Sequence, residues 1–234
     1  MDQDEGSIGG LKSPPEIPPS IIKVTYALDG LAILLTYIFV DGLAALFIAI
    51  YILISRAYSY RKIRIKKYPI LGFFTVAVFQ GAFIFVTIYW ACSDVYMLSQ
   101  TSIYGSIISF ILIGAGYPLT QIYQHEQDKA DGVKTISMQL GIKGTFLFSG
   151  AAFFLLGLCM VSYLAFYKQN LAEAVLFLLI LSPVVFYFSV WMKNTFKNET
   201  EANFENTMKM NQIGAYSMNV FFILLFLNSI YHVV

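Results

Sequence analysis

Charge is scarce in this 234-residue chain. Asp, Glu, Lys and Arg together make up 12% of it, against 58% hydrophobic residues, about half the ~25% charged share of a soluble domain. So little polar surface excludes a water-soluble globule. The net charge is +1 and no acidic or basic tail of length is present, so nothing in the chain attracts a nucleic-acid partner. Cysteine is nearly absent: Cys92 and Cys159 sit in or at the ends of apolar stretches, where they read as small packing residues rather than a disulfide or metal pair. We find no fixed-period repeat. Proline is sparse and concentrates in Ser13-Pro-Pro-Glu-Ile-Pro-Pro19, a stiff extended lead with no further linker after it. These absences leave one membrane domain over residues 1–234.

Long apolar runs take the place of what is missing. A hydrocarbon core of ~30 Å needs roughly 20 residues of helix. Seven stretches supply them or nearly do: 21–39, 42–58, 69–92, 103–123, 145–167, 171–191 and 212–231. The expected fold is an all-α, polytopic transmembrane bundle. Seven alternating crossings from a cytoplasmic N-terminus put all Lys and Arg except Lys168 on one side of the membrane, as the bias of short basic loops toward the cytoplasm demands. On that topology the acceptor-like Asn198-Glu-Thr200 stays cytoplasmic and unmodified.

The polar residues are not scattered. Where the fourth run ends, Tyr117, Thr120, Gln121, Gln124, Asp128 and Asp131 fall on one side of a regular helix and Ala115, Leu119 and Ile122 on the other. A row of polar side chains near lipid marks a site, since leaving them without partners costs several kcal/mol. A second acidic cluster, Asp2, Asp4 and Glu5, opens the chain. Two carboxylate clusters on one face suit a divalent cation such as Mg²⁺, which takes oxygen ligands and is commonly shared with substrate phosphates. The loop from Tyr58 to Pro69 adds Arg61, Lys62, Arg64, Lys66 and Lys67 on that face, serving phosphate contact or topology alone.

Asp2-Gln-Asp-Glu-Gly6, then Gly9-Gly-Leu-Lys12, Tyr58-Ser59 with Arg64-Ile-Lys66, and Asp128, Gly132 and Lys134-Thr135 together resemble the UbiA-type intramembrane prenyltransferases in order and spacing across essentially the whole chain. The resemblance implies a helical bundle, usually of nine membrane helices, that moves a prenyl group from a polyprenyl diphosphate to an aromatic or other lipophilic acceptor with Mg²⁺. It matches Asp2 and Asp128 to the later aspartates of two Asp-rich motifs. Asp2, Asp4, Asp128, Asp131 and Gln124 become the metal set, and Asp2 and Asp128 its catalytic members. Arg61, Arg64, Lys66 and Lys134 become the diphosphate contacts, and Tyr58, Tyr117, Gln121 and Tyr123 line the cavity that shields an allylic cation. Gln124 departs from the family's usual acidic residue, and Glu126, about 160° from Asp128 on a regular helix, cannot replace it. Seven helices rather than nine imply a start inside the first motif. Two other readings fit the residues: a transporter, since Asp29 is an intramembrane carboxylate, and an inactive relative that only binds polyprenyl lipid.

Overall fold

The computed structural model describes residues 7, 10–15, 18, 20–93 and 99–231, the side chain of residue 231 excepted. Asp2 and Asp4 lie outside the described residues. The chain runs through α1 Ile21–Phe39, α2 Gly42–Ser59, α3 Pro69–Cys92, α4 Gln100–Ile122, the short α5 His125–Ala130, α6 Ile136–Tyr167, α7 Leu171–Lys197 and α8 Phe204–Tyr231. All but α5 are long and apolar enough to cross a membrane, seven in number, and no β-strand forms among the described residues. This is an integral, multi-pass, all-α membrane protein.

Hydropathy places α1 and α3 to the residue and underestimates α6 and α8. The reason is local. Thr135 caps α6 by accepting from the Met138 amide at 3.4 Å, and the first turn ends at Gly141, whose φ of 69° and ψ of 170° kink the chain before the apolar run begins. Glycine suffers no Cβ clash in that left-handed region. The first eight residues of α8, Phe204-Glu-Asn-Thr-Met-Lys-Met-Asn211, are helical yet too polar for an apolar window to include.

Neighbours in sequence pack as neighbours in space, with α4 at the centre against α3 and α6, and α7 paired with α8. A cluster of Leu119, Ile122, Phe146, Val184, Phe188, Trp191 and Met210 ties α4, α6, α7 and α8 together near one end. Phe146 meets Trp191 edge-on at 4.7 Å between ring centres, a geometry worth about 1 kcal/mol beyond burial. The Trp191 indole N–H donates to the Glu201 carbonyl at 2.8 Å, which fixes the turn between α7 and α8.

Two features oppose simple hydrophobic packing. Asp29, the ninth residue of α1, pairs with the Arg56 guanidinium of α2, which also lies 3.9 Å from the centre of the Tyr26 ring. Carboxylates within a membrane span are normally paired in this way. In α3 the backbone passes through a π-helical segment, Ala77–Phe83. There Gly81 lies so close to α4 that a Cβ would stand 2.7 Å from the Ser109 carbonyl and 2.9 Å from the Phe110 Cα. Small residues permit such backbone approach where helices associate by packing rather than by the hydrophobic effect. Gly81→Val is expected to destabilise the α3–α4 contact by about 1–3 kcal/mol through overpacking, seen as a lower thermal midpoint in detergent. Gly157→Ala, with nothing within 4 Å of the new Cβ, should leave that midpoint unchanged or raised.

Candidate active site

The polar end of α4 is built differently from a continued helix. Regular helix stops at Ile122, and Gln124, at φ −99° and ψ 0°, starts the separate helix α5. The row from Tyr117 to Asp131 is therefore broken in two, and Ala115, Leu119 and Ile122 on the other side of α4 are core residues. The break turns Asp128 inward, 9% exposed, and leaves Glu126 exposed. The Val133 amide donates back to the Asp128 carbonyl at 2.8 Å, closing the turn that delivers the chain to Thr135 and α6.

Side chains of this end spend much of their capacity on one another. Gln121, 6% exposed, accepts from the Ser137 amide at 3.4 Å through its side-chain oxygen. His125 bonds the Ser137 hydroxyl through Nε2 at 2.6 Å, and burial lowers its pKa below the ordinary histidine value, so the imidazole is neutral near pH 7. Tyr123 packs edge-on against Phe204 at 5.2 Å, and desolvation raises its phenol pKa. These residues join α4, α5, α6 and α8 into one frame.

The basic loop folds over that frame. Arg64 holds a left-handed backbone, φ 48° and ψ 62°, which costs a non-glycine residue roughly 1–2 kcal/mol. That conformation aims its guanidinium at α5: Nη2 pairs with the Asp131 carboxylate, and Nη1 donates to the Asp131 carbonyl at 3.1 Å. Lys66 and Lys67 follow in a 3₁₀ turn, half-buried, while Arg61 and Lys134 are exposed at the rim. From the other side, the Gln124 amide donates to the Ser7 carbonyl at 3.3 Å, and Lys12 pairs with Glu205 of α8 at 2.5 Å. Arg64 of the basic loop and Ser7 near the beginning of the chain thus meet Asp131 and Gln124, at the two ends of α5.

Beneath the rim lies a cavity of about 800 Å³ walled by α3, α4, α6, α7 and α8, with Tyr117 and Thr120 nearest the polar end. Its lining is mostly Leu, Val, Ile, Phe and Met, and it is large enough for a sizeable ligand. The Tyr117 hydroxyl meets that of Tyr58 from α2. Of the aromatic and amide residues expected around a cation, Tyr117 lines the cavity, Tyr58 touches it through Tyr117, and Gln121 and Tyr123 stand in the frame around it.

Metal-binding capacity is a matter of donor type. Among the described residues no three His, Cys, Asp or Glu side chains gather into a cluster. Asp128, Asp131 and the side-chain oxygen of Gln124 are nonetheless the hard oxygen donors that Mg²⁺ takes, and Mg²⁺ commonly completes its shell with water and phosphate. Donating its NH₂ group to Ser7 leaves the Gln124 oxygen available.

A rim of carboxylate and guanidinium groups thus lies over an apolar cavity inside a multi-pass helical bundle. The chain belongs to the UbiA prenyltransferase family, whose model matches residues 17–213. Membership gives it a membrane prenyltransferase-type function. Neither the curated proteins nor the solved structures yield a match to this chain.

Sequence reasoning missed two members of this neighbourhood. Ser137 sits beyond the motif, yet its backbone amide and hydroxyl bond Gln121, His125 and Thr135. Gln80 of α3 lines the cavity but disappears within the most continuous apolar run of the chain. Asp131→Ala is expected to release Arg64 from its carboxylate and loosen the basic loop, at a local cost of about 1–3 kcal/mol for the stranded charge-assisted bond. Trypsin cleavage at residues 61–67 in detergent should accelerate several-fold.

Proposed function

We propose that this protein transfers a prenyl group from a polyprenyl diphosphate to a lipophilic acceptor, with Mg²⁺, at a mouth on the cytoplasmic face of the membrane. The observation that carries the reading is the convergence of Arg64 and the Ser7 end of the chain on Asp131 and Gln124, directly above an apolar cavity. Asp4 stands three residues before Ser7 in the sequence.

In this reading Arg64 and Lys66, with Arg61 and Lys134 at the rim, bind the diphosphate, the guanidinium doing so bidentately. Asp128, Asp131 and Gln124, with Asp2 and Asp4, hold Mg²⁺, which when bound neutralises charge building on the leaving group. The bond between prenyl C1 and the bridging oxygen breaks, its electron pair leaving with diphosphate. Tyr117 and Tyr58 turn their electron-rich rings toward the resulting allylic cation. The apolar walls exclude water that would otherwise quench it. For an aromatic acceptor, a ring carbon supplies the electron pair of the new C–C bond, and the proton it sheds goes to a diphosphate oxygen or to water. Arg64 exchanges its Asp131 partner for the diphosphate as substrate and cation arrive together.

Two measurements test this. Asp128→Ala should lower Mg²⁺-dependent transfer from farnesyl diphosphate by roughly 10²-fold or more, because a ligand contributing to both binding and transition-state charge is removed. Lys66→Ala should act mainly on KM for the diphosphate; turnover by Asp128→Ala close to that of the unaltered chain would refute the site. Reporters inserted in the 198–203 turn and fused after residue 234 should read cytoplasmic and non-cytoplasmic respectively, and the reverse pair would overturn the orientation.

A further inference from the structure

The cavity is not uniformly apolar, and its exceptions differ in kind. The hydroxyls of Thr120 and Ser189 are spent on carbonyls of their own helices, Tyr117 and Val185, both at 2.7 Å. Gln80 and Asn211 also line the cavity, are exposed, and make no hydrogen bond to a described residue. Gln80 is the twelfth residue of the 24-residue span α3, roughly 16 Å from its Pro69 end at 1.5 Å per residue. That is the middle of the membrane, where an amide without a partner costs several kcal/mol.

The backbone has a device for putting it there. Gln80 belongs to the π-helical segment Ala77–Phe83, and π segments, inherently less stable than α-helix, recur at functional sites. The neighbouring Gly81 presses on the backbone of Ser109 and Phe110, so the segment is locked against α4 while Gln80 faces the cavity. Asn211 enters from α8, seven residues beyond Phe204, roughly 10 Å deep and so between Tyr117 and Gln80. Amides at these depths oppose a hydrocarbon tail, which satisfies neither the NH₂ nor the carbonyl. They suit a molecule carrying oxygen. Among the described residues no Asp, Glu, Lys, Arg or His lines the cavity, which suits a ligand part that is neutral.

We propose, building on the transferase reading above, that Gln80, assisted by Asn211, is the residue that selects the acceptor, holding a neutral ring through a hydroxyl or carbonyl oxygen. The amide serves both oxygen types, since its NH₂ donates to a carbonyl and its own carbonyl accepts from a hydroxyl. A carboxylate at this depth has no cation to meet and is rejected. Acceptors whose polar group is a deep-lying anion are therefore poor, and neutral phenols or quinone-like rings are favoured.

The test is equilibrium dialysis of the full chain in lipid nanodiscs with 1-naphthol, naphthalene and 1-naphthoate, each corrected for uptake by empty nanodiscs. The unaltered protein should bind 1-naphthol about tenfold more tightly than naphthalene, the worth of one buried hydrogen bond, and more tightly than 1-naphthoate. Gln80→Leu should bring the naphthol-to-naphthalene ratio close to one without weakening naphthalene, and Asn211→Leu should lower the ratio part of the way. Equal binding of naphthol and naphthalene by the unaltered protein overturns the proposal without reference to any variant, as does an unchanged ratio in folded Gln80→Leu. A parallel arm measures Mg²⁺-dependent transfer from farnesyl diphosphate to 1-naphthol. Preference without transfer would discredit the transferase reading while leaving the pocket assignment intact, and transfer without preference would do the reverse.

Discussion

Hydrocarbon offers no partner to a polar group, and most of this structure follows from that constraint. Backbone groups answer it by being helical almost everywhere. Side chains answer it in three ways. Asp29 and Arg56 neutralise each other between α1 and α2. Thr25, Thr36, Thr75, Thr87 and Ser189 fold their hydroxyls onto carbonyls of their own helices. A third set, Gln121, His125, Thr135 and Ser137, collects at one end, where its members bond to one another. The site is the place where the constraint relaxes because the helices reach water.

The mouth is rigid in its frame and exchangeable at its rim. Gln121 and His125 are committed to Ser137, so their contribution is to fix how α5 leaves α4. Asp131, Arg64, Gln124 and Lys12 instead bond across elements that are separated in sequence by tens of residues or more. The cavity lies beneath. Its walls are large apolar side chains, and the Phe146–Trp191 contact and the Trp191–Glu201 bond hold α7 and α8 in register with the mouth.

The membrane-spanning character was legible in the sequence with little loss, because the length of an apolar run is a local quantity and a bilayer sets a minimum for it. Of the polar residues singled out in the sequence, Arg64 and Asp131 meet across 67 positions, a pairing that no local pattern specifies. The break in the helical face was not legible, because nothing local announces that Gln124 takes a bridge-region backbone and starts a second helix. Ser137 escaped notice for a related reason. Its value lies in accepting and donating across 12 and 16 residues, and no periodicity encodes that.

Composition and order by themselves determined that the chain lives in a membrane, that seven helices among the described residues are long and apolar enough to cross it, and that it belongs to the UbiA prenyltransferase family. Each is a property of runs, counts and spacings. Tertiary structure alone decided which polar residues are spent and which stay available. Gln121 and Gln80 are the same residue type in apolar surroundings, yet one is consumed by the Ser137 amide and the other, turned by a π-helical segment that Gly81 lets press against α4, is left facing a cavity. A side chain's partner depends on what the rest of the chain brings within ~3 Å of it, and that distance exists only once the helices have packed.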